Sequence, residues 1–165
     1  MDTHKDVGLV GPQLYFFNSQ IQDSCRRFMR PLDLIIKRSP LKRVPILRKR
    51  VQSYLMEDYS KKETSEVDLV TGACIMLPRK VFNEVGGFDP RYFLFMEDAD
   101  LCRTLWERGY KVVYYPKARA LHYHERLSGG SIFSLLRKKV FWIHISSALK
   151  YFWKWKGRPL PRATK

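Results

Sequence analysis

Cysteine is scarce in this chain and scattered where it occurs. Cys25, Cys74 and Cys102 are too few for a disulfide framework, and no pair has the spacing of a metal knuckle. A reduced, cytosolic compartment is the simpler reading. Long apolar runs are missing too: none approaches the ~20 residues a membrane span requires. The opening MDTHKDVGLV lacks the basic-then-apolar layout of a secretory signal. Acid is nearly absent from two long stretches. Residues 26–50 hold ten basic residues and one acid, Asp33, and residues 132–165 hold nine basic residues and no acid. The other 106 residues sum to −3 within a net charge of +15. These absences argue against a secreted miniprotein or an integral membrane protein, and an aromatic content of 14% argues against wholesale disorder. Two basic segments joined to a mildly acidic body attract polyanions: nucleic acid, anionic lipid head groups or diphosphate-bearing ligands.

Along the chain, DVGLVGPQLYFF reads as a buried strand with a Gly-Pro turn inside it, so residues 1–17 form a core strand region. Residues 18–66, with Pro31, Pro40 and Pro45 and dense charge, read as an excursion carrying one or two short amphipathic helices. VDLVTGACIMLP (67–78) predicts a buried strand that bends at Thr71-Gly72. PRKVFNEVGG (78–87) predicts a short helix stopped by Gly86-Gly87, followed by an aromatic loop over 88–97. DADLCRTLWERGY (98–110) predicts a helix with Leu101, Leu105 and Trp106 as its apolar stripe and Gly109 as its stop. KVVYYP (111–116) is a strand closed by proline, and ARALHYH (118–124) a further extended stretch. Residues 131–157 have helical length, with Ser131 as N-cap, and 158–165 form a tail. Alternation of strand and helix gives an α/β class.

Four places could carry chemistry. Glu97-Asp98-Ala99-Asp100 puts three carboxylates in four positions, so that mutual repulsion can raise a pKa towards that of a proton acceptor. The same pattern also suits the acidic first turn of any helix. Asp98 and Asp100 point about 200° apart on a helix, which disfavours joint chelation. His122 and His124 alternate on a strand and face one side; a metal ligand, an acid or base, a diphosphate contact and a structural hydrogen bond all remain open. Arg126 and Ser128-Gly129-Gly130-Ser131 form a glycine-rich loop leading into a helix, a place suited to phosphate oxygens. At Thr71-Gly72-Ala73 small residues allow either a close approach of ligand to backbone or tight sheet packing. Cys74 and Cys102 sit among apolar residues and read as buried, inert thiols.

The ordered series VDLVTGACIMLPRKVFNEVGGFDPRYFLFMEDADLCRTLWERGYKVVYYPKARALHYHERLSGGS resembles the C-terminal half of family 2 glycosyltransferases. It is most similar to bacterial rhamnosyltransferase-like members that build surface polysaccharides. The matching elements are the T-G-A strand, the V-G-G-F-D-P turn, the E-D-x-D-L-C helix start, the R-G-Y-K-V helix end and the A-x-x-x-H strand. The similarity runs over 67–131, and more weakly over 7–30. The resemblance implies a partial GT-A (Rossmann-like) α/β sandwich, with residues 67–130 as the acceptor-side catalytic core and 131–157 as an amphipathic helix. It implies Asp98 as general base of an inverting transfer from a nucleotide sugar to a glycan or lipid-linked acceptor. Glu97 would orient the acceptor or tune Asp98. His122 would complete the coordination of a divalent cation, Mg or Mn. Gly72 and Ala73 would line the substrate pocket, and Arg126 and Ser131 would contact the diphosphate. The metal-binding D-x-D of such enzymes lies in an N-terminal nucleotide-binding half. No D-x-D precedes Asp98 here, so the expectation is a truncated chain or half of a split enzyme, inactive alone and inclined to self-associate through its uncovered face.

Between 131 and 155, Trp142, Trp153, Trp155 and several Phe and Leu are interleaved with Arg137, Lys138, Lys139, Lys150 and Lys154. That mixture suits either a helix lying in the head-group layer, with the protein peripheral on the inner face of the membrane, or an ordinary helix covering the domain. The segment LIIKRSPLKRVPILRKR (34–50) has the same character. Two other function classes compete with an active transferase: a non-catalytic, membrane-associated remnant docked on another transferase, and a basic nucleic-acid-binding module, for which no recognised motif stands.

Overall fold

The computed structural model describes residues 4–57, 59–123 and 137–161. A four-stranded sheet forms its centre, in the order β2 (Ile21–Gln22), β1 (Val7–Tyr15), β6 (Lys111–Leu121), β4 (Ser65–Glu66). Its two long members, β1 (Val7–Tyr15) and β6 (Lys111–Leu121), run parallel. The short β2 (Ile21–Gln22) and β4 (Ser65–Glu66) pair antiparallel on either side. A second, two-stranded sheet joins β3 (Cys25–Arg26) to β5 (Leu69–Val70). This is the mixed α/β class expected.

Both prolines expected to break strands lie inside them. β1 passes through Gly11-Pro12 and β6 through Pro116 without ending. The partner strand explains how. Pro12 pairs with Tyr115, and the next pair is Gln13 with Arg119, so β6 carries extra residues around Pro116 at a bulge. A bulge is where a residue lacking N–H does no harm to a ladder. Gly11 is required by packing rather than by a turn: a Cβ there would lie 2.8 Å from Val70 Cβ.

The helices are α1 (Pro31–Arg38), α2 (Pro45–Tyr54), α3 (Arg79–Glu84), α4 (Glu97–Glu107) and α5 (Lys139–Lys154), with a 3-10 turn over Pro40–Arg43. The three prolines of the basic segment each open one of these turns or helices at the first position, where no intrahelical N–H is needed. Asp33, the single acid of that segment, is buried. Its Oδ2 accepts the Arg30 N–H at 2.8 Å, and its Oδ1 pairs with Arg50, which pins α2 to α1. α4 buries Leu101 and Leu105 against Leu9, Val70 and Val112, the core of the sheet. The apolar run 67–78 is mostly not strand. After β5 the chain turns out at Thr71, and returns to β1 only through the Val10–Met76 bridge. Cys74 is therefore exposed rather than buried, whereas Cys102 is buried as expected and its thiol is pushed up to about 12 by burial.

The last described helix begins at Lys139, after an extended Lys138; Ser131, expected as an N-cap, lies outside the described residues. Ser147, Ala148 and Tyr151 are buried, as is Trp155 at its C-cap, while Trp142, Leu149 and Trp153 stay exposed. One face thus covers the domain and the other is presented outward. Among the described residues no helix is long and apolar enough to cross a membrane.

Candidate active site

In open α/β sheets ligands bind beyond the carboxyl ends of the strands. Gly72 follows β5, and His122 follows β6 with its N–H donated to Tyr15 O at 3.0 Å. An open recess of about 600 Å³ lies beside the first of these ends. Gly72, Ala73 and Cys74 line one side, and Phe82, Phe88 and Arg79 the other.

The start of α4 sets Asp98 behind Gly72, which lines this recess. Its Oδ2 accepts the Gly72 N–H at 2.9 Å and its Oδ1 the Ala99 N–H at 2.8 Å. Each carboxylate oxygen has a second lone pair, so the group can still accept a proton from a hydroxyl brought into the recess. Its neighbour Glu97 is more enclosed: Oε2 is buried with no hydrogen-bond partner. Burial first, and the nearby Asp98 charge after it, push the Glu97 carboxyl above the usual carboxylate range. The two adjacent acids thus differ in environment, one held by N–H donors and the other desolvated.

The backbone before them is strained. Phe95 and Met96 both take left-handed conformations, with φ of 67° and 70°. Neither is glycine, so each costs roughly 1–2 kcal/mol. No sequence signal announces this turn.

Asp100, two residues on, does different work. It is 3% exposed and accepts three donors: Trp155 Nε1 at 2.8 Å, Tyr92 Oη at 3.2 Å and Lys154 Nζ at 2.6 Å. Lys154 also reaches Asp89 Oδ2 at 2.9 Å. The Arg91 guanidinium, with Lys154 behind it, holds the Asp89 carboxyl far below its usual range. Asp98 and Asp100 therefore do not chelate together: one is held by the Gly72 and Ala99 N–H groups and the other is consumed by the core. Sequence reading missed these partners of Asp100, two of which, Lys154 and Trp155, come from more than fifty residues away.

His122 lies in a second recess with Phe16, Phe17 and Tyr123, which shares no lining residue with the first. Gln22 Nε2 donates to His122 O at 2.6 Å, which directs Gln22 Oε1 towards His122 Nδ1 at 3.0 Å. With Nδ1 donating in this contact, the ring takes the tautomer that a metal-ligating histidine shows. One such nitrogen is not a site, however. Among the described residues no three His, Cys, Asp or Glu side chains come together to hold a metal. His124, Arg126 and Ser131 lie outside the described residues.

Gly72 gives a test of the recess. A Cβ at this position would lie 3.3 Å from Asp98 Cβ, so Gly72→Ala should shift the carboxylate by a few tenths of an ångström. Any reaction that uses Asp98 is expected to slow by about tenfold, with the thermal midpoint nearly unchanged. Kinetics and calorimetry on the same preparation check this.

These features are those of an α/β domain with a carboxylate beside an open recess. The family model described as glycosyltransferase-like family 2 matches residues 45–141, more than half of the chain, and the chain belongs to that family. An N-acetylglucosaminyl-diphospho-decaprenol L-rhamnosyltransferase of Mycobacterium tuberculosis is 43% identical over 63 residues, covering 38% of this chain and 20% of the relative. The rhamnosyltransferase WbbL of Escherichia coli is 30% identical over 118 residues, covering 67% of this chain and 43% of the relative. The chain thus spans less than half the length of either. Among solved structures, GalNAc-T7 with UDP, GalNAc and Mn²⁺ superposes with a TM-score of 0.42 at 15% identity, over 78% of this chain and 25% of that one. Family membership and the mixed α/β architecture agree with the partial GT-A sandwich expected above.

Proposed function

We propose that this chain is the acceptor side of an inverting, nucleotide-sugar-dependent glycosyltransferase of rhamnosyltransferase type. The observation that carries the reading is Asp98, held by the Gly72 and Ala99 N–H groups at the edge of an open recess. The acceptor hydroxyl gives its proton to the Asp98 carboxylate as its oxygen forms a bond to the anomeric carbon. The bond from that carbon to the donor diphosphate breaks, and the electron pair leaves with the diphosphate. Glu97, whose carboxyl is pushed above the usual carboxylate range by burial, stands beside Asp98 and tunes the base's environment.

The recess suits an amphiphilic acceptor. Ile75, Leu77, Phe82 and Phe88 offer apolar surface, and Arg79 a cation for an acidic group. A polyprenyl-diphosphate-linked sugar, of the kind named for the Mycobacterium tuberculosis relative, has both parts. A divalent cation would supply charge stabilisation of the leaving diphosphate. His122 is the nitrogen proposed for it, and the described residues do not complete that site. The direct test is transfer from nucleotide sugars to a polyprenyl-diphosphate-linked acceptor by the full-length protein. A labelled, elongated lipid supports the reading, and its absence across a panel of donors rejects it.

Attachment to the inner face of a membrane is part of the same proposal. Trp142, Leu149 and Trp153 recur along the outward face of α5, with Phe93 beside Trp142. Lys139 and Lys150 flank them. Tryptophan at head-group depth with lysine beside it suits an anionic bilayer. Replacing Trp142 and Trp153 together by alanine is expected to weaken partition into vesicles containing phosphatidylglycerol by about tenfold or more. Co-sedimentation checks it, and unchanged partition contradicts it.

A further inference from the structure

We infer that α5 is a brace for the catalytic carboxylate, and that Ser147 and His144 are positioning residues for Asp98. The inference rests on the transferase reading for the role of Asp98, but its contacts stand independently of that role.

The segment leading into α4 has little to hold it from within. Met96, the N-cap, makes no side-chain capping bond, and Phe95 and Met96 are both left-handed. Consecutive strained residues persist only where the surroundings over-determine them. Here, beside the core into which Met96 packs, the polar and ring contacts come from one helix. Ser147 Oγ donates to Leu94 O at 2.8 Å, directly before the strained pair. The His144 ring stacks on Phe95, centroids 4.3 Å apart and planes 22° apart. Lys150 Nζ donates to Arg91 O at 2.9 Å. Lys154 then grips Asp89 and Asp100 on either side of the segment. Positions 144, 147, 150 and 154 follow at steps of three and four residues, so they share one face of the helix.

The consequence runs directly to the base. Met96 O accepts the first helical bond of α4, from the Asp100 N–H at 2.8 Å. Asp98 lies within that turn, and its carboxylate must meet Gly72 N–H at 2.9 Å. Releasing Leu94 and Phe95 lets the strained pair relax, and the first turn of α4, with Asp98, then moves off Gly72. The strain places the carboxylate where chemistry needs it, and α5 holds the strain in place.

Hydrogen–deuterium exchange on the protein, comparing wild type with Ser147→Ala, His144→Ala and Ser147→Thr, tests this. Amides of residues 92–99 should exchange about tenfold faster in both alanine variants, with β1 and β6 unchanged. Ser147→Thr keeps the hydroxyl and should restore protection. In transfer assays of the full-length protein, the alanine variants should lower kcat by about tenfold and leave the acceptor KM unaltered. Unchanged exchange over 92–99 would overturn the brace. So would loss of protection spread equally over β1 and β6, or an unaltered kcat. Should Ser147→Ala fail to fold, His144→Ala gives the same reading. Should wild type transfer no sugar, the transferase reading fails and the exchange result alone decides the brace.

Discussion

Asp98→Asn is expected to lower sugar transfer by about 10²–10⁴-fold, the contribution of a positioned general base. The substitution is close to isosteric, and the amide oxygen can keep the Gly72 N–H bond made at 2.9 Å in the wild type. What it loses is chemical. Asparagine cannot take the acceptor's proton, and its NH₂ group faces the Ala99 N–H that the carboxylate accepts at 2.8 Å. Two donors facing each other cost about 1 kcal/mol, a small change in thermal midpoint beside the loss of rate. Glu97→Gln should cost less in rate, because its buried Oε2 accepts no hydrogen bond that the amide would forfeit. Rates measured with saturating donor, alongside thermal melts, separate the two residues. Transfer by Asp98→Asn at the wild-type rate would remove Asp98 from the mechanism.

Asp100→Ala should act on stability instead. It strips the acceptor from the Trp155 N–H and the Tyr92 hydroxyl and leaves the Lys154 ammonium with Asp89 alone. Asp100 is 3% exposed and Trp155 6%, so water cannot readily replace what is lost. Removing one partner of a buried ion pair costs about 3–5 kcal/mol. A domain has about 5–15 kcal/mol in all, so the variant should unfold at a much lower denaturant midpoint. The loss should be greatest for α5, whose Lys154 and Trp155 depend on this carboxylate. A shift of less than about 1 kcal/mol would mean that Asp100 is not the anchor of the helix.

These two aspartates also show what was legible in the chain. The order of elements over residues 67–121 could be read because its signals are local. Gly86 and Gly87 take left-handed φ after α3, Gly109 does so after α4, and acids crowd the first turn of α4. Asp98 could be named because the E-D pair stands in a recognised series. The opposite fates of Asp98 and Asp100 could not be read. They depend on Lys154 and Trp155, which are remote in sequence and reach Asp100 only once α5 packs.

Strand continuity was hidden for a similar reason. Whether Pro12 and Pro116 end a strand depends on the register of the partner, and the β1–β6 bulge absorbs both. Cys74 sits in an apolar sequence yet is exposed, because the chain turns out at Thr71 to build the recess instead of continuing the sheet. Composition could suggest burial there, but only the course of the backbone decides it. The same applies to the left-handed Phe95 and Met96, which no glycine or asparagine marks.

In the proposed mechanism a single carboxylate, Asp98, deprotonates the acceptor during one displacement at the anomeric carbon. The most direct measurement is the anomeric configuration of the first product formed from a donor of defined configuration, read by NMR before any mutarotation or further transfer. A single displacement with Asp98 as base predicts inversion. A product that retains the donor's configuration would require an intervening nucleophile, and would contradict the assignment.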